Sequence, residues 1–436
     1  MIQTIDLRGT RLSPAELLAA VPRALTDVAV ASDVAAELIN DVRTRGTAAL
    51  LDQAERLDRV RPEHVRVPAE HIAEAVAALD PAVRTAIEET IRRLRLACAA
   101  QVPPRVTTTI ADGAEITQRW QPIHRVGLYV PGGKAVYPSS VAMNVVPAQV
   151  AGVTQIALAS PPQSHFGGRV HPTILAVAGL LGVDEIYAMG GAGAVGAFAY
   201  GVPDLGLDPV QLVTGPGNVY VAAAKRLVRG QTGIDAEAGP TDILVIADDT
   251  ANPLFVAADL VSQAEHDELA AAVLVTDSAA LADAVEARLD ELAVSTTHSE
   301  RVSASLGGTQ SAIVLVDDLV TAAAFSNAFG PEHLEIQTSD PDAVLANIEN
   351  AGAIFIGPHS PVSLGDYAAG SNHVLPTGGQ SRFSSGLGAY TFLRPQQVVR
   401  YSRDALRTVA GHIEALSDAE ALPAHGDAVR VRFAGE

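Results

Sequence analysis

The sequence predicts an α/β protein with two regions of parallel sheet, a helical N-terminal segment and a helical C-terminal tail. Three observations predict this. Apolar residues recur at helical spacing over residues 13–101. Beyond residue 114, short Val/Ile/Leu-rich runs closed by glycine or an acidic turn alternate with alanine-rich helical stretches, the pattern by which parallel strands return through helices. Finally, 436 residues, at about 150 per domain, make two to three domains with ample core.

The helical segment opens with Ala15, Leu18, Ala19 and Val21, and its spacing recurs over 31–42 and 82–96. Three strand, glycine-loop and helix units follow. Strand 126–130 enters Pro131-Gly132-Gly133, strand 185–189 enters Gly190-Gly191-Ala192-Gly193, and strand 211–213 enters Thr214-Gly215-Pro216-Gly217-Asn218. A second series places strands at 243–247, 272–276, 312–316, 333–337 and 353–356, separated by helices such as 252–269 and 340–350. After the Gly/Ser-rich stretch 378–388, the last fifty residues read as a helical tail.

Thirty Lys and Arg against 50 Asp and Glu give a net charge of −20, a field that repels phosphate backbones and anionic membranes. Nucleic-acid binding is disfavoured. A single cysteine, Cys98, allows no intramolecular disulfide and fits a reducing compartment; among Arg92, Arg93 and Arg95 and far from every motif, it reads as inert. The start MIQTIDLRGT lacks a signal pattern, and the apolar stretches 173–183 and 189–202 fall short of the roughly 18 residues a span needs. The expectation is a soluble cytoplasmic protein.

The three glycine loops are where a dinucleotide would lie, because glycine admits a pyrophosphate to the backbone and the next helix presents free N–H groups. Residues 191–196 match G-x-G-x-x-G, but the following strand lacks the acidic residue that would hold a ribose, and a tight turn explains any one loop equally well. Gly132-Gly133-Lys134-Ala135 is not a P-loop, since alanine stands where a hydroxyl is required. Gln263 and His266, three apart on the 252–269 helix, share a face as metal ligands would, or else mark an acidic helix end with a chance histidine. Glu332 and His333, after a Gly-Pro turn and before a strand, can divide proton transfer or can be two exposed polar residues. The polar loop 364–373 carries Asp366 and His373, and the tail carries Glu420 and His425, by default a surface helix.

Taken in order, GLYVPGG (127–133), YPSSVAMNVVPAQVAGV (137–153), TGPGN (214–218), AGPTDILVIAD (238–248), SQAEHD (262–267), PEHLEI (331–336), SLGDYAAGSNHVLPT (363–377) and EALPAHGDAV (420–429) closely resemble the histidinol dehydrogenases, which catalyse the last step of histidine biosynthesis. The resemblance covers nearly the whole chain. It implies two Rossmann-like domains of aldehyde-dehydrogenase type: an N-terminal arm at 1–23, a split domain at 24–128 plus 241–387, an insert at 129–240 on the NAD side, and a swapped tail at 388–436. It implies NAD-linked oxidation of L-histidinol through L-histidinal to L-histidine, with zinc held by Gln263, His266, Asp366 and His425. His333 would be the general base and Glu332 would activate water, with no thiol needed. Substrate would meet Thr241, Gln263, His266, Glu332, Asp366, His373, Glu420 and His425. Tyr129, Gly193 and Asn218 would lie toward NAD. The family forms homodimers in which Glu420 and His425 complete the partner's site.

This chain departs from the family pattern in two places. Gly193 stands where GGAQA has glutamine, which removes a side-chain amide near NAD, and Thr241 stands where many members have serine. Two alternatives follow. One is a related dehydrogenase of another small alcohol, such as a sulfonated propanediol, against which His373, Glu420 and His425 argue. The other is a non-catalytic homologue, motivated only by Gly193.

Overall fold

Three sheets carry the strands of the computed structural model, which describes residues 2–23, 28–132, 136–237 and 239–434. Gly133, Lys134 and Ala135 of the first glycine loop, and Ala238 of the AGPTD segment, lie outside the described residues. Contacts divide the chain into two units, Met1–Gln101 with Ile123–Phe392, and Val102–Pro122 with Leu393–Glu436. No helix among the described residues is long and apolar enough to cross a membrane.

Strand β1 (Gln3–Asp6) precedes helices α1 (Pro14–Ala20), α2 (Val28–Arg45), α3 (Thr47–Gln53), α4 (Ala69–Ala78) and α5 (Pro81–Ala100). The starts of these helices are written locally. Ser13 and Glu16 close a reciprocal capping box on α1, and the Asp80 carboxylate accepts from Ala82 and Val83 N–H ahead of α5, with proline at the first helical position in both. Strands β2 (Val106–Ala111) and β3 (Ala114–Pro122) then form a hairpin.

Next come β4 (Arg125–Tyr129), α6 (Pro138–Ala151), β5 (Gln155–Ser160), α7 (Pro172–Leu180), β6 (Glu185–Ala188), α8 (Gly191–Tyr200), β7 (Leu212–Thr214), α9 (Val219–Val228) and β8 (Gly233–Ile234). Their strands make a parallel sheet in the order β6-β5-β4-β7-β8. The winding direction reverses between β4 and β7. At such a switch point the loops leaving the two strands part and open a crevice.

The chain continues through β9 (Asp242–Ala247), α10 (Pro253–Ala264), β10 (Ala271–Thr276), α11 (Ala279–Ser295), α12 (Ser299–Leu306), β11 (Ala312–Leu315), α13 (Leu319–Phe329), β12 (His333–Gln337), α14 (Pro341–Leu345), β13 (Ala353–Ile356) and α15 (Val362–Tyr367). These strands and β1 form a second parallel sheet, β1-β11-β10-β9-β12-β13. Covered on both faces, its central strands are nearly continuous apolar runs. Ile243, Val245 and Ala247 join the core beneath α10 and α11, while Leu244 and Ile246 join the core with Phe325 and Phe329 of α13.

In the second unit, β14 (Leu393–Tyr401) pairs antiparallel with β3 and is followed by α16 (Arg403–Ala419) and α17 (Pro423–Arg430). The tail is therefore helical only after a nine-residue strand. That strand escapes a sequence reading because it is mostly exposed and its polar and apolar residues do not alternate. Strand β5 is missed for a different reason: it closes on Ser-Pro-Pro rather than glycine. Two helices are shorter than expected. Residues 340–350 are helical only over α14, and α10 ends at Ala264, leaving His266 in the turn that follows. The expected 128/129 boundary falls inside β4, β1 of the expected arm joins the second parallel sheet, and α2, α4 and α5 pack on α8 and α9, on α7 and on α6 respectively.

Candidate active site

The candidate chemistry gathers at the amino ends of β9 and β12. Thr241 and Glu332 immediately precede these strands and His333 opens β12, its register opposite Ile243 and Ala353. Side chains alternate along a strand, so His333, Glu335 and Gln337 face α10 while Leu334 and Ile336 join the core beneath α13. Both members of the Glu-His pair are buried, at 6% and 5% exposure, which rules out two exposed polar residues.

One residue organises the pair, and the sequence reading passed it over. The Asp242 carboxylate accepts from Glu332 N–H at 2.6 Å and Gly378 N–H at 3.3 Å. The Asp242 N–H donates to Glu332 Oε2 at 3.1 Å, and the Asp242 carbonyl accepts from His333 Nδ1 at 3.0 Å. Because a carbonyl only accepts, Nδ1 carries a proton, and in the neutral imidazole Nε2 is then the nitrogen with the lone pair. Nε2 is buried and has no hydrogen-bond partner among the described residues. The one available signal was the carboxylate that directly follows Thr241 in the AGPTD segment.

Thr241 joins the two halves of the site. Its hydroxyl donates to Glu332 Oε2 at 2.5 Å and accepts from Gln263 Nε2 at 2.5 Å. That spends the amide nitrogen of Gln263, so its oxygen is the donor left for a metal. His266 follows through the turn in which its N–H donates to the Gln263 carbonyl at 3.2 Å. The expected shared helix face thus becomes a helix end and its turn.

Burial sets the protonation of the cluster. It pushes Glu332 up to about 8, against the hydrogen bonds from Thr241 and Asp242 and with help from the Asp366 charge. It pushes Asp242 up to about 7, reinforced by the neighbouring Glu332. It draws His266 and His373 down, toward the neutral imidazole, while the Asp366 charge opposes in both. Asp366 on α15 is therefore electrostatically close to His266, Glu332 and His373. A neutral imidazole, a carboxylate and an amide oxygen suit a borderline metal such as zinc. Among the described residues no three His, Cys, Asp or Glu are spaced to hold a metal by themselves. The expected set counts one amide, Gln263, and one residue of the second unit, His425. That residue and Glu420 lie at α17 and the end of α16.

His373 has both ring nitrogens engaged within the protein, Nδ1 to the Asp366 carbonyl at 3.0 Å and Nε2 to Ser140 Oγ at 2.9 Å. Behind Ser140 runs a buried chain: Asn144 Nδ2 donates to the Ser140 carbonyl, and Thr214 Oγ1 donates to Asn144 Oδ1, each at 2.8 Å. It links the polar loop to the end of β7. Ser140 and Asn144 were legible only as two of the four polar residues of a mostly apolar helix, four apart. A cavity of 280 Å³ also touches Thr241 and Asp242, but none of Gln263, His266, His333, Asp366 or His373 lines it.

On the five-stranded sheet, Tyr129 is buried and its hydroxyl accepts from Gly191 N–H at 3.2 Å. Asn218 caps α9, accepting from Tyr220 and Val221 N–H at 3.1 and 3.2 Å. The G-x-G-x-x-G match starts α8 rather than forming a loop, and its second and third glycines, Gly193 and Gly196, serve packing. A Cβ on Gly196 would stand 3.1 Å from the Ile39 backbone, and one on Gly193 would collide with Gln53 Oε1. The space that a glutamine at 193 would enter is filled from α3 by another glutamine. Cys98 is buried and burial pushes its thiol up to about 11, in keeping with an inert role.

The comparisons with known proteins agree with one another. A family model described as histidinol dehydrogenase matches residues 21–433. Proteins named histidinol dehydrogenase from Leifsonia xyli and Thermobifida fusca are 69% and 58% identical, covering 99% and 100% of this chain and 99% and 98% of their own lengths. The crystal structure of histidinol dehydrogenase from Elizabethkingia anophelis superimposes with a TM-score of 0.93 at 31% identity, covering 99% of this chain and 98% of that one. With the family model matching nearly the whole chain and relatives of this identity over their full lengths, the chain belongs to the histidinol dehydrogenase family.

Proposed function

We propose that the protein oxidises L-histidinol through L-histidinal to L-histidine, with zinc bound at Gln263, His266, Asp366 and His425 and two NAD⁺ reduced per turnover. The observation that carries this reading is the tautomer of His333: Nδ1–H is held by the Asp242 carbonyl, leaving a buried, bare Nε2 as the base for an alcohol proton. Glu332, pushed up to about 8 by burial, holds a proton near neutral pH and gives it up at modest cost. Once ionised, as pH approaches and passes about 8, its carboxylate can take a proton from the water that attacks the aldehyde. Thr241 fixes the Glu332 carboxyl from one side and the Gln263 amide from the other.

Zinc, when bound, anchors substrate nitrogen and polarises the reacting oxygen; NAD⁺, when bound, accepts hydride. Asp366 and Glu420, joined by Glu332 once it ionises, give the site a negative set that suits an amine-bearing substrate. Tyr129, Gly193 and Asn218 place the cofactor at the carboxyl end of the five-stranded sheet, beside its switch point. We assign Glu420 and His425 to the partner's site in a cytoplasmic homodimer, and treat 24–128 plus 241–387 and the insert 129–240 as the two folding pieces.

The test is NADH formed per L-histidinol consumed, before and after chelation. Two NADH per histidinol, lost on chelation and restored by zinc, supports the reading; no turnover with zinc bound overturns it.

A further inference from the structure

We propose that the buried Lys225–Asp235 ion pair is the positioning device of the cofactor loop, holding Gly215 so that the crevice between β4 and β7 keeps its shape for NAD. The inference rests on the NAD-linked reading above. The loop in question leaves β7 at the switch point and runs from Thr214 to Asn218, where α9 begins. Both polar groups of one peptide residue in it are held by opposite members of the pair. Gly215 N–H donates to Asp235 Oδ2 at 2.8 Å, and the Gly215 carbonyl accepts from Lys225 Nζ at 3.0 Å. Lys225 and Asp235 also meet each other directly, their side chains 2% and 5% exposed.

The loop has no slack to hold this geometry alone. Gly215 has φ 115°, and a Cβ there would collide with the Tyr129 carbonyl, so the loop passes directly against the end of β4. Lys225 sits about two helical turns into α9, past the Asn218 cap, and reaches back beneath the loop. Asp235 comes from the segment just after β8. Two neighbouring elements therefore meet on one glycine, and Asn218 fixes the far end of the same loop. Taking two charges out of water costs several kcal/mol per ion, and well-packed apolar residues often stabilise a core as well or better. A pair kept at this place fixes register rather than supplying core stability. Neither residue belongs to the TGPGN motif, and neither touches the Glu332–His333 site.

The test uses Lys225→Met with Asp235→Asn, which removes both charges and keeps an acceptor for Gly215 N–H. On the full-length enzyme, the Kd for NAD⁺ measured by titration calorimetry rises about tenfold or more, and KM for NAD⁺ rises with it. The kcat at saturating NAD⁺ changes by less than about threefold, and KM for histidinol and metal content are kept. Asp235→Asn alone gives the same direction at about threefold and carries the test if the double variant does not fold. Wild-type NAD⁺ affinity in these variants, or a fall in kcat with KM for NAD⁺ unchanged, overturns the proposal. A wild-type enzyme that binds no NAD⁺ in the same titration overturns the NAD-linked reading instead.

Discussion

The two parallel sheets of the first unit bring opposite ends to bear on function. The five-stranded sheet offers the carboxyl ends of β4, β6 and β7, where the next helix begins and its unpaired N–H groups and dipole are free for a ligand. What stands there is main chain and small residues: Gly191 N–H on Tyr129, the Gly215 tether, the Asn218 cap. The six-stranded sheet offers the amino ends of β9 and β12, where no helix start helps, so reactivity comes from the side chains of Thr241, Asp242, Glu332 and His333. One end is built of backbone and shape, and fails when atoms are added. The other is built of functional groups, and fails when they are removed.

The largest effect expected from removal is at the dyad. Glu332→Gln and His333→Gln each lower kcat by about a thousandfold, within the range general acid–base groups supply, with zinc retained by metal analysis. Full activity in both would place the chemistry elsewhere. Asp242→Asn comes next, with kcat falling about a hundredfold. Its main chain still holds Glu332 and His333, but the carboxylate that fixes Glu332 N–H and Gly378 N–H is lost. Asp242→Ala falls at least as far. A pH–rate profile separates orientation from electrostatics: burial and the Asp366 charge raise the Glu332 ionisation, so a limb that stays in place in Asp242→Asn while kcat falls marks an orienting role.

The same contrast explains what the sequence disclosed. Strands β9 to β11 were legible because strands covered on both faces are nearly unbroken apolar runs, and the Glu-His pair was legible as a candidate from its place between a Gly-Pro turn and a strand, its role coming from the family resemblance. Asp242 was not, because its role is made by main-chain atoms that no motif spells. Ser140, Asn144 and Thr214 were hidden for a related reason, since a buried hydrogen-bond chain across two elements has no spacing in sequence. The fingerprint at 191–196 was ambiguous, because glycines that admit Gln53 and Ile39 look the same in sequence as glycines that admit a pyrophosphate.

Adding atoms tests the backbone-built end. Gly193→Gln drives a side chain into the space held by Gln53, whose Nε2 is tied to the Leu38 carbonyl at 3.1 Å and to Asp41. The expected cost is about 1–3 kcal/mol by denaturant unfolding, the usual penalty of overpacking. Combining it with Gln53→Ala restores at least half of that loss, because the two residues compete for one volume. Equal stability of Gly193→Gln and the wild type would mean that the new side chain leaves the α3 interface altogether, and the departure from the family pattern would then have no packing cause.

The smallest effect sharpens the other side of the comparison, because β12 carries a second carboxyl on the His333 face that lies away from the dyad. Burial pushes Glu335 up to about 9, with the Asp259 charge adding to it, and burial pushes Asp259 up to about 6. The folded protein therefore holds protons that the unfolded chain has released between the ordinary carboxylate range near pH 4 and pH 9. Binding fewer protons, the unfolded state gains as pH rises, so this pair lowers stability progressively across that window. Glu335→Gln removes the titrating group and keeps a donor toward Asp259. Measured by denaturant unfolding at pH 6 and pH 9, its stability relative to the wild type improves toward pH 9 by at least about 1 kcal/mol. A difference constant with pH would show that Glu335 ionises freely in the fold. A charge on this strand would then matter by its position at the amino end, and not by burial along the face.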